Sequence, residues 1–165
     1  MLSFFVVAFT LVSSAQEDKS KRPSPPAQAT ASVDGTDVTI DYSQPSLKNR
    51  DINKLAPVGQ IWRTGANEAS WVEFSDDVKI DGKVLKKGKY GLFTINNKTE
   101  WTIIFNEVWK QWGHYSYDSS KDALRVDVTP KTSDSSVEKF TIKIEESGDV
   151  TLNWGNTVVP FKISK

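Results

Sequence analysis

The stretch from Val58 to Phe74, VGQIWRTGANEASWVEF, sets a polar knot between two apolar runs. Arg63, Thr64, Asn67 and Glu68 gather around Gly65. An arginine offers five donors in a fixed fork, and a carboxylate accepts two of them in parallel. Gly65 permits a tight turn. Arg63 and Glu68 are therefore expected to face each other across a short loop, with Thr64 and Asn67 satisfying backbone groups. Two roles fit such a network. As a lock it closes one end of the fold, provided every buried member is paired. As a site it points into a cleft and binds a polar ligand, with Glu68 as general base or metal ligand.

His114 lies in WKQWGHYSYD and is the only histidine of the chain. An imidazole near neutral pKa transfers protons or binds metal. No second histidine accompanies it, so the alternative is a loop histidine stacked on Tyr or Trp. Trp109, Trp112, Tyr115 and Tyr117 share its loop. Their rings suit a sugar platform, or else they plug the open end of the fold. Glu68 with Glu73 or Asp118 would make a carboxylate pair for glycoside hydrolysis, although any β protein with 21 acids offers such pairs. VDGTD at Val33 to Asp37 has calcium-like Asp spacing but is too short and lacks the terminal Glu. Nucleophile-elbow, zincin and phosphate-loop motifs are missing. The candidate catalytic residues are thus Glu68 and His114. The candidate ligand-binding residues are Arg63, Thr64, Asn67, Glu68, Trp109, Trp112, His114 and Tyr115. No metal site and no cofactor are expected.

The elements that must hold these residues read as strands. TDVTIDY alternates with Val38, Ile40 and Tyr42 on one face, and EKFTIKIEE does so with Phe140, Ile142 and Ile144. Asp81-Gly82 marks a two-residue hairpin between VKI and KVL, and NNKT joins KYGLFTI to EWTIIFN. Ser147-Gly148 and Gly155-Asn156 read as further turns. Nine to ten short strands with turns about every ten residues predict an all-β, antiparallel sandwich or jelly roll. Ser46 to Gly59 and Phe105 to Ala123 are the two long connections, and the first has room for one helical turn.

Composition bounds the rest. Lys plus Arg and Asp plus Glu both number 21, so no basic excess points to nucleic acid. With no cysteine, disulfides, thiolate metal sites, a cysteine nucleophile and a lipidated anchor are excluded. MLSFFVVAFTLVSSA, residues 1–15, reads as a secretory signal cleaved before Gln16, although no Lys or Arg precedes its apolar run. It predicts a periplasmic or secreted protein without a membrane anchor. Residues 16–32 are rich in Pro, Ala and Ser, include the KSKR cluster, and read as an extended segment. Ordered structure is expected from about Val33, as one sandwich domain over 33–165.

WRTGANEA, LKKGKYGLFTI followed by EWTIIFN, and DALRVDV resemble the bacterial family called domain of unknown function 2911. The resemblance covers nearly the whole chain after the leader. It implies a secreted or periplasmic protein of the Bacteroidota type and brings no established activity. Two functions stay open. One is a monomeric binding or accessory module for a polar small molecule, a glycan, a peptide or an envelope protein. The other is a small extracytoplasmic hydrolase or isomerase, which requires Arg63, Asn67, Glu68 and His114 to converge in one pocket.

Overall fold

The computed structural model describes residues 18–165. The signal-like stretch lies outside the described residues. Two antiparallel sheets pack face to face. The larger contains β1 (Pro26–Val33), β2 (Thr36–Ser43), β4 (Trp71–Phe74), β7 (Gly88–Asn96), β8 (Trp101–Asn106) and β9 (Asp122–Val128) in that order, with β3 (Ile61–Trp62) also paired to β7. The smaller runs in the order β10 (Lys131–Ile144), β11 (Asp149–Ser164), β5 (Val78–Ile80), β6 (Lys83–Leu85). The long connection 46–59 does hold one helical turn, Ile52–Leu55, capped by the Asp51 carboxylate on the Asn53 amide.

The expected sandwich is therefore present, with two corrections to its elements. Order begins well before Val33, because β1 pairs with β2 from Pro26↔Ser43 to Val33↔Thr36. Ala27, Ala29 and Ala31 of β1 pack against the core and Val33 is buried in it, while Gln28, Thr30 and Ser32 are exposed. The alternation is carried by alanines, which is why the segment resembles a linker. The intervening Asp34-Gly35 has φ of 49° and 79°, matching Asp81-Gly82 at 45° and 82°. Both fit the type I′ hairpin turn, which needs positive φ at both central residues. The second correction concerns Gly155-Asn156, which is no turn. β11 runs straight through it, and Gly155 sits opposite Val137 where the register of β10 shifts. A positive-φ glycine at a register shift is the mark of a β-bulge.

The core between the sheets is aromatic. Trp62 stacks on Trp154 at 5.4 Å with 9° between the rings, and Phe140 sits edge-on to both. Tyr42 of β2 reaches across the sandwich, where its hydroxyl accepts the Ile142 amide of β10 at 3.0 Å. The loop after β2 continues this seam. Phe140 N–H donates to the Pro45 carbonyl and Leu47 N–H to the Glu138 carbonyl, so the loop pairs with the outer edge of β10.

The larger sheet is apolar on its outer face as well. Ala69, Phe93 and Ile104 form a second small core there, with Ile61, Ile95 and Tyr117 against it. The connection 107–121 covers this face, and the Tyr117 ring lies 5.0 Å from Phe93. Its two ends meet at Asn106, which is fully buried. The Asn106 amide donates to the Asp118 carbonyl and the Asp122 carboxylate, while its oxygen accepts the Val108 amide.

Tyr42→Phe leaves the Ile142 amide buried without its acceptor. The expected loss is about 1–3 kcal/mol of unfolding free energy in urea. Tyr115→Phe, at a residue 78% exposed, should stay within about 0.5 kcal/mol of wild type.

Candidate functional site

The polar knot does not close on itself. Glu68 pairs with Lys19 at 2.9 Å and Arg22 at 2.8 Å, not with Arg63. The reason is local backbone. Thr64 and Asn67 both take positive φ, 54° and 60°, and these two twists send Arg63 and Glu68 to opposite sides of the loop. Polar side chains hold the strained path. Ser70 Oγ donates to the Thr64 carbonyl at 2.8 Å, and the Asn67 amide donates to the Ser24 carbonyl and Ser43 Oγ. Thr64 is fully buried beside Thr94, with the hydroxyls 3.3 Å apart. A Cβ on Gly65 would come within 2.8 Å of Ser70 Oγ and 3.0 Å of the Ser43 carbonyl, so only glycine fits this approach.

The loop also docks on the 107–121 connection. Glu68 and Trp112 form an isolated antiparallel bridge. Ala69 N–H donates to the Gln111 carbonyl and Gly113 N–H to the Asn67 carbonyl. On one side of this junction lies an open cleft of about 430 Å³, within the range of about 300–1,000 Å³ common for small-molecule sites. Trp71, Trp109 and Trp112 line it together with Asp41, Glu68 and Arg22. Lys89 caps the platform at its side, 3.3 Å from the Trp71 ring centre and 4.1 Å from that of Trp109. One ammonium thus fixes two indoles that meet at 6.2 Å, an arrangement stabilised by the ring quadrupoles. Trp112 is 56% exposed with the Arg22 guanidinium over its ring.

The two carboxylates differ. Burial alone would raise the Glu68 carboxyl, but hydrogen bonds from Lys19, its own backbone amide and Arg22 outweigh this and hold it below the usual glutamate range. Burial lifts the Asp41 carboxyl above the usual aspartate range. The Gln28 hydrogen bond and the charges of Lys89 and Lys19 only partly offset that, and the Glu68 charge adds to it. One cleft therefore holds a firmly ionised acceptor beside a carboxyl that takes up a proton more readily.

Arg63 and His114 open on the other side of the loop. They line a separate cavity of about 360 Å³ that Glu68 does not reach. His114 stacks on Tyr115 at 5.1 Å, as a loop histidine would. Burial, followed by the Arg63 charge, lowers its pKa. The eight sequence candidates thus divide. Glu68, Trp109 and Trp112 meet in the cleft, and Arg63 and His114 in the second cavity. Thr64, Asn67 and Tyr115 line neither. An acid–base pair of Glu68 with His114 has no common pocket to work in. Glu73 and Asp118 are not carboxylate partners of Glu68 either. Glu73 is exposed on β4, and Asp118 caps the turn at Ser120. The carboxylate that shares the cleft is Asp41, which the sequence reading missed along with Trp71, Lys19 and Arg22. Outward alternation on β2 and β4 marks Asp41 and Trp71. Nothing in the spacing marks Lys19 and Arg22, which arrive from 49 and 46 residues away.

Fold and site together define a two-sheet antiparallel sandwich with an aromatic, ionic cleft on the outer face of its larger sheet. The chain belongs to the family described as protein of unknown function (DUF2911), whose profile matches residues 24–163. That span starts two residues before β1. Searches of the curated proteins and of the solved structures return no match.

The Glu68 shift sets a pH dependence. A carboxyl depressed on folding adds stability above the unfolded value, 4.5 for glutamate, and loses it as pH falls through the lower folded value. The side chain is 41% exposed, so Glu68→Gln should cost no more than about 1 kcal/mol at neutral pH. Urea titrations should show that difference vanish in acid.

Proposed function

We propose that the protein is an extracytoplasmic binding module whose outer-face cleft takes a glycan. The carrying observation is that three indoles and two carboxylates line one open cleft of about 430 Å³. A sugar ring presents an apolar C–H face and a rim of hydroxyls that both donate and accept. Indole faces match the first, and their stacking needs few ordered side-chain torsions. Asp41 and Glu68 accept from hydroxyls, while Lys19, Arg22 and Lys110 donate to them. The platform is fixed before binding, because Lys89 holds Trp71 and Trp109 together, and a preformed site loses less entropy on association. The leader-like residues 1–15 support a place outside the cytoplasm, where envelope glycans are met. The raised Asp41 beside the ionised Glu68 is the one feature of the cleft that would also suit hydrolysis, but Lys19 and Arg22 already engage both Glu68 oxygens.

The test is a titration of intrinsic tryptophan fluorescence with neutral, acidic and amino-sugar oligosaccharides. A saturable change is expected with at least one class. Trp109→Ala should weaken it at least about tenfold, equivalent to about 1.4 kcal/mol, and Asp41→Asn should weaken it less. No saturable response to any class, or an unchanged affinity in Trp109→Ala, overturns the reading.

A further inference from the structure

The cavity behind the polar loop has a charge character unlike that of the cleft. Arg63, Arg50 and His114 line it with the apolar rings of Trp62 and Trp154, and none of its lining residues is acidic. Arg63 is half-buried, yet makes no ion pair with any described residue. Among the described residues, four side-chain polar atoms are buried without a hydrogen-bond partner, and two of them are Arg63 Nε and His114 Nδ1. Leaving a buried donor unmet is costly, so the Arg63 guanidinium beside this cavity calls for an explanation, while His114 Nδ1 is a donor or an acceptor according to its tautomer.

The surroundings keep these groups in place. A Cβ at position 113 would lie 2.8 Å from Arg63 Nη1, and Gly113 has φ of 64°. The positive φ favours glycine there, and the guanidinium lies against its open side. Arg50 is held at the mouth by hydrogen bonds from Nε to the Leu47 carbonyl and from Nη2 to the Ser46 carbonyl, both at 2.9 Å. Its charge is not consumed by any carboxylate among the described residues.

We infer that this cavity is an oxyanion site that takes a carboxylate or phosphate group, with the Arg63 guanidinium as its principal contact. A planar fork pairs with such groups through two parallel hydrogen bonds. Arg50 adds attraction at the entrance. The imidazole, kept neutral by burial and by Arg63, contributes a donor from whichever ring nitrogen carries the proton. The inference does not depend on the glycan reading, since the two cavities lie on opposite sides of the 63–68 loop.

His114 is the only histidine, so its ring resonances report on this cavity alone. The protein is titrated with inorganic phosphate and separately with acetate at constant ionic strength, with chloride as the control. A saturable shift of the His114 signals is expected, together with a rise of its pKa as the bound anion offsets the Arg63 charge. Saturation by both anions marks a general oxyanion site, and saturation by phosphate alone a phosphate site. In Arg63→Gln the response should disappear, and the His114 pKa should already be raised without anion. If that variant does not fold, Arg50→Gln replaces it, with affinity about threefold weaker as expected for a rim charge. The inference is overturned if neither anion gives a saturable shift or chloride gives the same one. It is also overturned if Arg63→Gln retains the response, or if Arg50→Gln, when it must stand in, binds unchanged. Because Trp62 and Trp154 line this cavity, the two sites are told apart by their variants: Trp109→Ala acts on the cleft response and Arg63→Gln on the His114 response.

Discussion

Asn106 ties down everything that distinguishes this sandwich from a plain pair of sheets. It is fully buried and uses both ends of its amide on the two ends of the 107–121 connection. A wandering loop of that length would leave the outer apolar face of the larger sheet open to water. Anchored at Asn106, it returns across Phe93 and Ile104 through Tyr117. The anchor is itself braced, because the Asp122 carboxylate also accepts from the Tyr117 hydroxyl and from Arg125 Nε, each at 2.7 Å. Burial, with the Asp122 hydrogen bond and charge adding to it, pushes the Tyr117 hydroxyl up to about 12, so it remains a donor throughout the physiological range. Trp109, Trp112 and His114 ride on the connection that this buried amide anchors at both ends.

The 63–68 loop then divides the space that the connection encloses. It is a lock and a wall at once. The lock is made by its uncharged members, through the Thr64 carbonyl that accepts from Ser70 Oγ and the Asn67 side-chain amide that donates to Ser43 Oγ. Its charged members face outward on either side. A β-branched residue at positive φ is an uncommon conformation, and strain of this kind persists only where neighbours over-determine it. Here the neighbours come from β1's approach, β2, β7, Ser70 and the 107–121 connection together.

What could be read from the chain alone follows from how local each signal is. Asp81-Gly82 sits between two plainly alternating apolar runs and was legible as a hairpin. Asp34-Gly35 is the same turn, yet the strand before it alternates through alanines and passed for a linker. Arg63 and Glu68, expected to face each other, do not pair. Facing residues across a short loop is the outcome for regular turns, and two positive-φ residues between them reverse it. Lys19 and Arg22 stood out only as a basic cluster in an apparent tail. Their partner is fixed by where β1 lays the preceding residues, which is a property of the folded sheet and not of any spacing. Trp71 and Asp41 were legible in principle, since alternation assigns an outer face as surely as an inner one.

The interrupted register between β10 and β11 has a consequence for how the molecule behaves among its own copies. A sheet edge is a template for another strand when it offers an unbroken, flat row of amide and carbonyl groups. β10 is the long edge of the smaller sheet, 14 residues from Lys131 to Ile144. Two register shifts, on either side of Val137, twist and break its row. The Pro45–Leu47 loop already occupies part of what is left. The opposite edge, β6, is three residues long. The smaller sheet thus gives a growing aggregate few regular places to add on.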